Sequence, residues 1–135
     1  MTFSLGAQRV TAPVGSGGSA TAKIVLNQHP GAYTLTATAA GVSASAPFTL
    51  TKDATTTSVA RTSKTLQATL VAAGSRARVA GRSIGFFVNG TKVGTATTNS
   101  NGVADVKAIV AAHRTVKAVF SGDAFFTASS ATTTT

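Results

Sequence analysis

The stretch GFFVNGTKVGTATTNSNGVADV, residues 85–106, reads as β structure laid down in short pieces. Asn-Gly occurs twice in it, at Asn89-Gly90 and Asn101-Gly102, each time after a β-rich run. A two-residue type I′ turn needs positive φ at both central positions, and Asn-Gly supplies it, so each pair predicts a hairpin turn. The same period of two continues on either side. In KTLQATLVAA, Leu66, Ala68 and Leu70 alternate with Thr65, Gln67 and Thr69. In SIGFFVNG, Ile84, Phe86 and Val88 share a face, and in RTVKAVFSG, Val116, Ala118 and Phe120 share another. Such alternation marks strands with one buried face. Short strands at this spacing predict an all-β sandwich or barrel, with Leu66, Leu70, Ile84, Phe86, Val116 and Phe120 pointing inward. No segment carries the period of a long helix.

Composition sets the limits around that stretch. A chain of 135 residues suits one ordinary domain or two small ones. Its hydrophobic content of 43% is rich in Ala and Val and holds no Trp, so the core should be thin and built of small side chains. The absence of cysteine excludes disulfides and thiolate metal sites. Twelve Lys and Arg face three acids, Asp53, Asp105 and Asp123, for a net charge of +9. Such a balance favours anionic polymers as partners, or serves as a solvated surface that keeps a β protein in solution. The basic residues are scattered; the densest group, Arg76, Arg78 and Arg82 in GSRARVAGRS, is the candidate anion contact. Nothing points to a specific nucleic acid. MTFSL is no signal peptide, and no apolar run nears the ~20 residues of a membrane span, so membrane insertion is not expected.

A second copy of the decisive stretch lies upstream, in TFSLGAQRVTAPVGSGGSATAKI, residues 2–24. Phe3, Leu5, Arg9 and Val10 align with Phe86, Val88, Lys92 and Val93. Lys23 then falls on Lys107, and Gly41 in TLTATAAG on Gly122 in TVKAVFSG. A period near 80 residues is the size of a small sandwich, not of a solenoid repeat. TKDATTTSVA, residues 51–60, reads as a linker running into a first strand. The expected division is a partial module at 1–52 and a complete or nearly complete one at 53–135.

With TTTSVA, KTLQATLVA, FFVNGTKVGTATTNSNGVADV and RTVKAVFSGDAFFTASS, residues 54–135 resemble the bacterial immunoglobulin-like domains found in tandem arrays in surface and secreted proteins. The resemblance implies a seven-strand Greek-key sandwich serving as a spacer, stalk or adhesion module, extracellular or on a cell or virion surface. Residues 2–52 then resemble the third to last strands of a second copy, with Phe3, Leu5, Ile24, Tyr33, Leu35 and Phe48 inward. PGAYTL is similar to the tyrosine corner of such sandwiches, with Gly31, Tyr33 and Leu35 in its positions and Leu35 where a cysteine often stands. Arg114 occupies the matching place in the second copy, so the corner is not shared. The partial copy lacks its first two strands. The chain is therefore expected to be a piece of an array or to associate with itself through the open edge of residues 2–52.

Catalytic chemistry finds little footing. His29 and His113 are isolated, without metal-ligand spacing. No nucleophile elbow appears, and three dispersed aspartates suit neither glycoside hydrolysis nor a calcium site. GSGG at 15–18 lacks the Lys of a phosphate loop and reads as a hairpin loop. Asn89-Gly90-Thr91 matches a glycosylation sequon, but a hairpin turn accounts for it. No enzyme activity, cofactor or metal is expected.

Overall fold

The computed structural model describes all residues except Asn27 and Ser63. Among the described residues the chain is all-β, with eleven strands in three antiparallel sheets and no helix. It divides into two compact units, Met1–Thr51 and Lys52–Thr135.

The second unit is a two-sheet sandwich. Strands β5 (Thr55–Arg61), β6 (Thr65–Ala72) and β9 (Val103–Lys107) form one sheet in the order β5-β6-β9. Strands β7 (Ser83–Val88), β8 (Thr91–Thr97), β10 (Thr115–Phe120) and β11 (Ser129–Thr134) form the other, ordered β11-β10-β7-β8. Between them lie Leu66, Leu70, Ile84, Phe86 and Val116, all fully buried, and Phe120 at 3% exposure, which is the inward set expected from alternation. Ala68, Ala72, Ala104 and Ala118 fill the remaining space, which keeps the core thin. Along one side β5 packs beside β11, where the hydroxyls of Thr55 and Thr57 both bond Ser129 Oγ, at 2.8 and 2.7 Å. The stretch expected to be a linker is tied into this unit: Asp53 N–H donates to Phe125 O, and Asp53 O accepts from Thr127 N–H.

Of the two Asn-Gly pairs, only one makes a hairpin. Asn89 (φ +47°) and Gly90 (φ +83°) close β7 onto β8 as a type I′ turn would. Asn101-Gly102 departs from the expectation. Only Gly102 has positive φ (+69°), and the strands it joins, β8 and β9, belong to different sheets. The reason lies in Asn99, whose Oδ1 accepts from the amides of Asn101 and Val103 and so turns the chain out of one sheet into the other.

The first unit is a single sheet of β1 (Thr2–Leu5), β2 (Gln8–Thr11), β3 (Gly31–Ala39) and β4 (Val42–Leu50), ordered β2-β1-β3-β4. Its order matches that of β8-β7-β10-β11, and so does its register across β1, β3 and β4, whereas β7 and β8 carry a shift between Phe86 and Phe87 that β1 and β2 lack. Phe3 pairs with Ala37 and Leu5 with Leu35; Phe86 pairs with Ala118 and Val88 with Val116. The turns after β2 and β8 also share their bonds. Gly15 N–H donates to Ser19 O and Gly18 N–H to Gly15 O, as Asn99 N–H does to Val103 O and Gly102 N–H to Asn99 O. GSGG is therefore a turn leading off the sheet rather than a hairpin loop. The segment after it, 20–26, is not a strand, contrary to the expectation that this copy supplies all its strands from the third onward.

Candidate functional site

Strand pairing sorts the residues of the first sheet onto two faces, because directly opposed residues point the same way. One face is hydroxylic: Thr36 bonds Ser45 at 3.0 Å and Thr38 bonds Ser43 at 2.8 Å. The other runs Phe3, Leu5, Leu35, Ala37, Ala44, Ala46 and Phe48 through the registers of β1, β3 and β4. In the second unit the same face is sealed by β5-β6-β9. Within residues 1–51 it is lined by the segment 20–26, and among the described residues of this unit only Leu5 and Ala12 are buried. Phe3, Ile24, Tyr33, Leu35 and Phe48, expected to point inward, are half-buried. A groove of about 360 Å³ remains between Phe3, Leu5, Leu35 and Phe48 on the sheet and Ala22, Ile24 and Leu26 on the segment. On the same face of β4, Val42 is 74% exposed. An apolar sheet face of this kind is a candidate interaction surface.

Tyr33 fixes one end of this sheet. Its hydroxyl donates to His29 O at 2.6 Å, pinning the loop that enters β3, and Gly31 lies beside the ring. Leu35 turns into the open groove. Tyr33→Phe should lower the stability of the first unit by about 1 kcal/mol, the usual net worth of one hydrogen bond, as read by thermal unfolding followed through hydrogen exchange in β3 and β4.

The three arginines do not act together. Arg76 (φ +56°) sits in the turn after β6, and Arg78 is exposed beside Val71. Arg82 is half-buried, with its Nε against Asp123 Oδ2 and its guanidinium 5.2 Å from the Phe126 ring centroid, so its charge is already met. Asp123 Oδ1 also accepts from the amides of Phe125 and Phe126, both at 2.8 Å. Burial works to raise its pKa, but those amides and the Arg82 charge outweigh it, and the carboxyl is held below its ordinary value. A carboxyl lowered on folding contributes stability above its unfolded pKa of about 3.9 and loses it as pH falls through the folded value. Acid unfolding of residues 52–135 should therefore be shallower below about pH 4 in Asp123→Asn than in the parent, when followed by circular dichroism against pH.

Another cationic arrangement escaped the sequence reading. Phe87 is paired directly with Lys92 on one side and Lys117 on the other, forming a Lys-Phe-Lys row across the outer face of β8, β7 and β10. A depression of about 480 Å³ adjoins it, lined by Gly85, Phe87, Lys92 and Val119. The Asn89-Gly90 hairpin sets Lys92 beside Phe87, but Lys117 is distant in sequence and only sheet order brings it into line. Asn89, read as a turn residue, does more than turn: its Oδ1 accepts from Thr115 N–H at 3.0 Å, tying the hairpin to β10. Among the described residues no three His, Cys, Asp or Glu side chains come together as a metal site, and no helix is long and apolar enough to cross a membrane.

No family profile, no curated protein and no solved structure matches this chain.

Proposed function

We propose that this chain is a non-catalytic structural protein of immunoglobulin-like modules, acting as a spacer, stalk or adhesion element in an extracellular or surface array. The single observation that carries the reading is the shared strand order of β2-β1-β3-β4 and β8-β7-β10-β11, with matching register between β1, β3 and β4 and β7, β10 and β11 and the same hydrogen bonds in the turns that follow β2 and β8. The placement of strands in the second unit supports the immunoglobulin-like part. Its first, second and fifth strands lie in one sheet and its third, sixth and seventh in the other, as in that fold, with the fourth strand on the edge of the latter sheet. The bond from Tyr33 to His29 is of the tyrosine-corner kind. The hydroxyls of Thr55, Thr57 and Ser129, the turn residues Asn89 and Asn99 and the Arg82–Asp123 pair all have structural work, which supports a chain without catalysis.

A modular protein should come apart into modules. Residues 52–135 expressed alone are expected to unfold in one cooperative step at the temperature they show in the full chain. A fragment that stays unfolded in circular dichroism would remove the modular reading. The second reading, a binding module for an anionic polymer, draws on the Lys92-Phe87-Lys117 row. Titration with a polyanion at two salt concentrations separates the two, because phosphate- or carboxylate-driven binding weakens steeply with salt whereas a spacer binds at neither.

A further inference from the structure

We propose that the outer face of β8-β7-β10-β11 binds an acidic polysaccharide bearing carboxylates, with Phe87 as the stacking platform and Lys92 and Lys117 as the charge contacts. This deepens the anionic-polymer reading above and rests on it. Phe87 is half-buried and leans along β7 onto Gly85, where its Cε2 and Cζ stand 3.2 and 3.7 Å from the place a Cβ would take. The ring thus occupies the space that a side chain at position 85 would need. The shift between Phe86 and Phe87 in the pairing of β7 with β8 brings Lys92 opposite Phe87 and Thr95 opposite Gly85, so both point to this face. Two depressions, of about 480 and 330 Å³, meet at Phe87 and Val119. One reaches Ser83 and Ser121 and the other Gly90 and Thr115, so together they form a trough along the strands about 20 Å long.

The matching face of the first unit has no such platform. By strand register, Thr2 and Ser4 stand in the places of Gly85 and Phe87, and Thr36 and Thr38 in those of Lys117 and Val119. Their hydroxyls are largely taken up by one another: Thr2 bonds Thr11 at 3.4 Å, Thr36 bonds Ser45 and Thr38 bonds Ser43. In the second unit the ammonium groups of Lys92 and Lys117 and the hydroxyls of Ser83, Thr95 and Thr132 have no partner among the described residues. The one carboxylate among the described residues that line the trough, Asp123, is held by Arg82. This face therefore offers a ring, two unmet positive charges and free hydroxyls. A pyranose fits that set, because its weakly positive C–H groups meet the negative face of an aromatic ring and its hydroxyls pair with those of the protein. The lysines start about 10 Å apart, twice the strand spacing, and so suit charges spaced along a chain. Single-stranded nucleic acid carries a charge at every nucleotide and is held by cations that track its backbone, which two lysines do not provide.

The test titrates the full chain by calorimetry with polygalacturonate, with its methyl-esterified form, which keeps the sugar rings and loses the charges, and with single-stranded oligothymidylate. Polygalacturonate is expected to bind saturably, and raising salt from about 50 to about 200 mM should weaken it by about tenfold, the slope of two ion pairs. The esterified polymer and oligothymidylate should each bind about tenfold more weakly or worse. Lys92→Gln and Lys117→Gln should each roughly halve the salt slope. Phe87→Leu keeps an apolar side chain against Gly85, so it should leave the unfolding transition in place while weakening polygalacturonate by about tenfold. Arg9→Gln, at the place of Lys92 in the first unit, should leave the affinity unchanged. Tighter binding of oligothymidylate than of polygalacturonate overturns the proposal and makes nucleic acid the ligand. Equal affinity for the esterified form overturns it too, since the lysines would then play no part. Binding that Phe87→Leu leaves intact, or that Arg9→Gln weakens as much as Lys117→Gln, removes this site while the anionic-polymer reading stands on diffuse charge. Binding of neither polyanion removes the proposal and that reading together, and leaves the spacer.

Discussion

Replacing Phe86 by alanine should destabilise residues 52–135 by about 3–5 kcal/mol. Phe86 is among the largest fully buried side chains, and it lies between the two sheets with Leu66, Leu70 and Ile84 around it. Its neighbours include Ala68, Ala104 and Ala118, which are too short to close over a missing ring. The cavity therefore persists, and the cost should fall toward the upper part of that range. Chemical denaturation of the fragment 52–135 reads it directly: a lower midpoint with an unchanged slope is the expected result, and an unchanged midpoint would place Phe86 outside the core.

Gly102→Ala should cost about 2–4 kcal/mol in the same unit, and Gly18→Ala only about 1 kcal/mol in the other. Both glycines hold positive φ, +69° and +75°, so both substitutions carry the penalty of a left-handed alanine. They differ in their surroundings. A Cβ on Gly102 would stand 2.6 Å from Leu70 O and 3.2 Å from Val79 N, backbone atoms that cannot swing aside. A Cβ on Gly18 meets nothing within 4 Å. The crowding at Gly102 comes from β6 and the chain just after it, and nothing stands in that place beside Gly18. Urea midpoints for both variants, resolved by unit through hydrogen exchange, decide the comparison; equal penalties would mean that the close approach to Leu70 has no weight.

The sequence by itself determined the strands and their faces. Thr-Leu-Gln-Ala-Thr-Leu at 65–70 can put Leu66, Ala68 and Leu70 together only as a strand, because side chains alternate across a pleated backbone whatever lies beyond it. The alignment of Phe3 and Leu5 with Phe86 and Val88 was legible for the same reason. So was the turn at Asn89-Gly90, since positive φ is a property of two residues. Sheet membership was decided only by the tertiary structure. Asn101-Gly102 looks like Asn89-Gly90 in the chain, yet it carries β8 into the opposite sheet, because the Asn99 side chain takes the next amides and Gly102 is pressed against Leu70. The partners of Arg82 and the place of Lys117 beside Phe87 were equally hidden, for each depends on segments that meet across long stretches of chain. Ala20, Ala22, Ile24 and Leu26 alternate like a strand, but a strand exists only when another backbone takes up its hydrogen bonds, and in residues 1–51 none stands where β6 stands in the other unit.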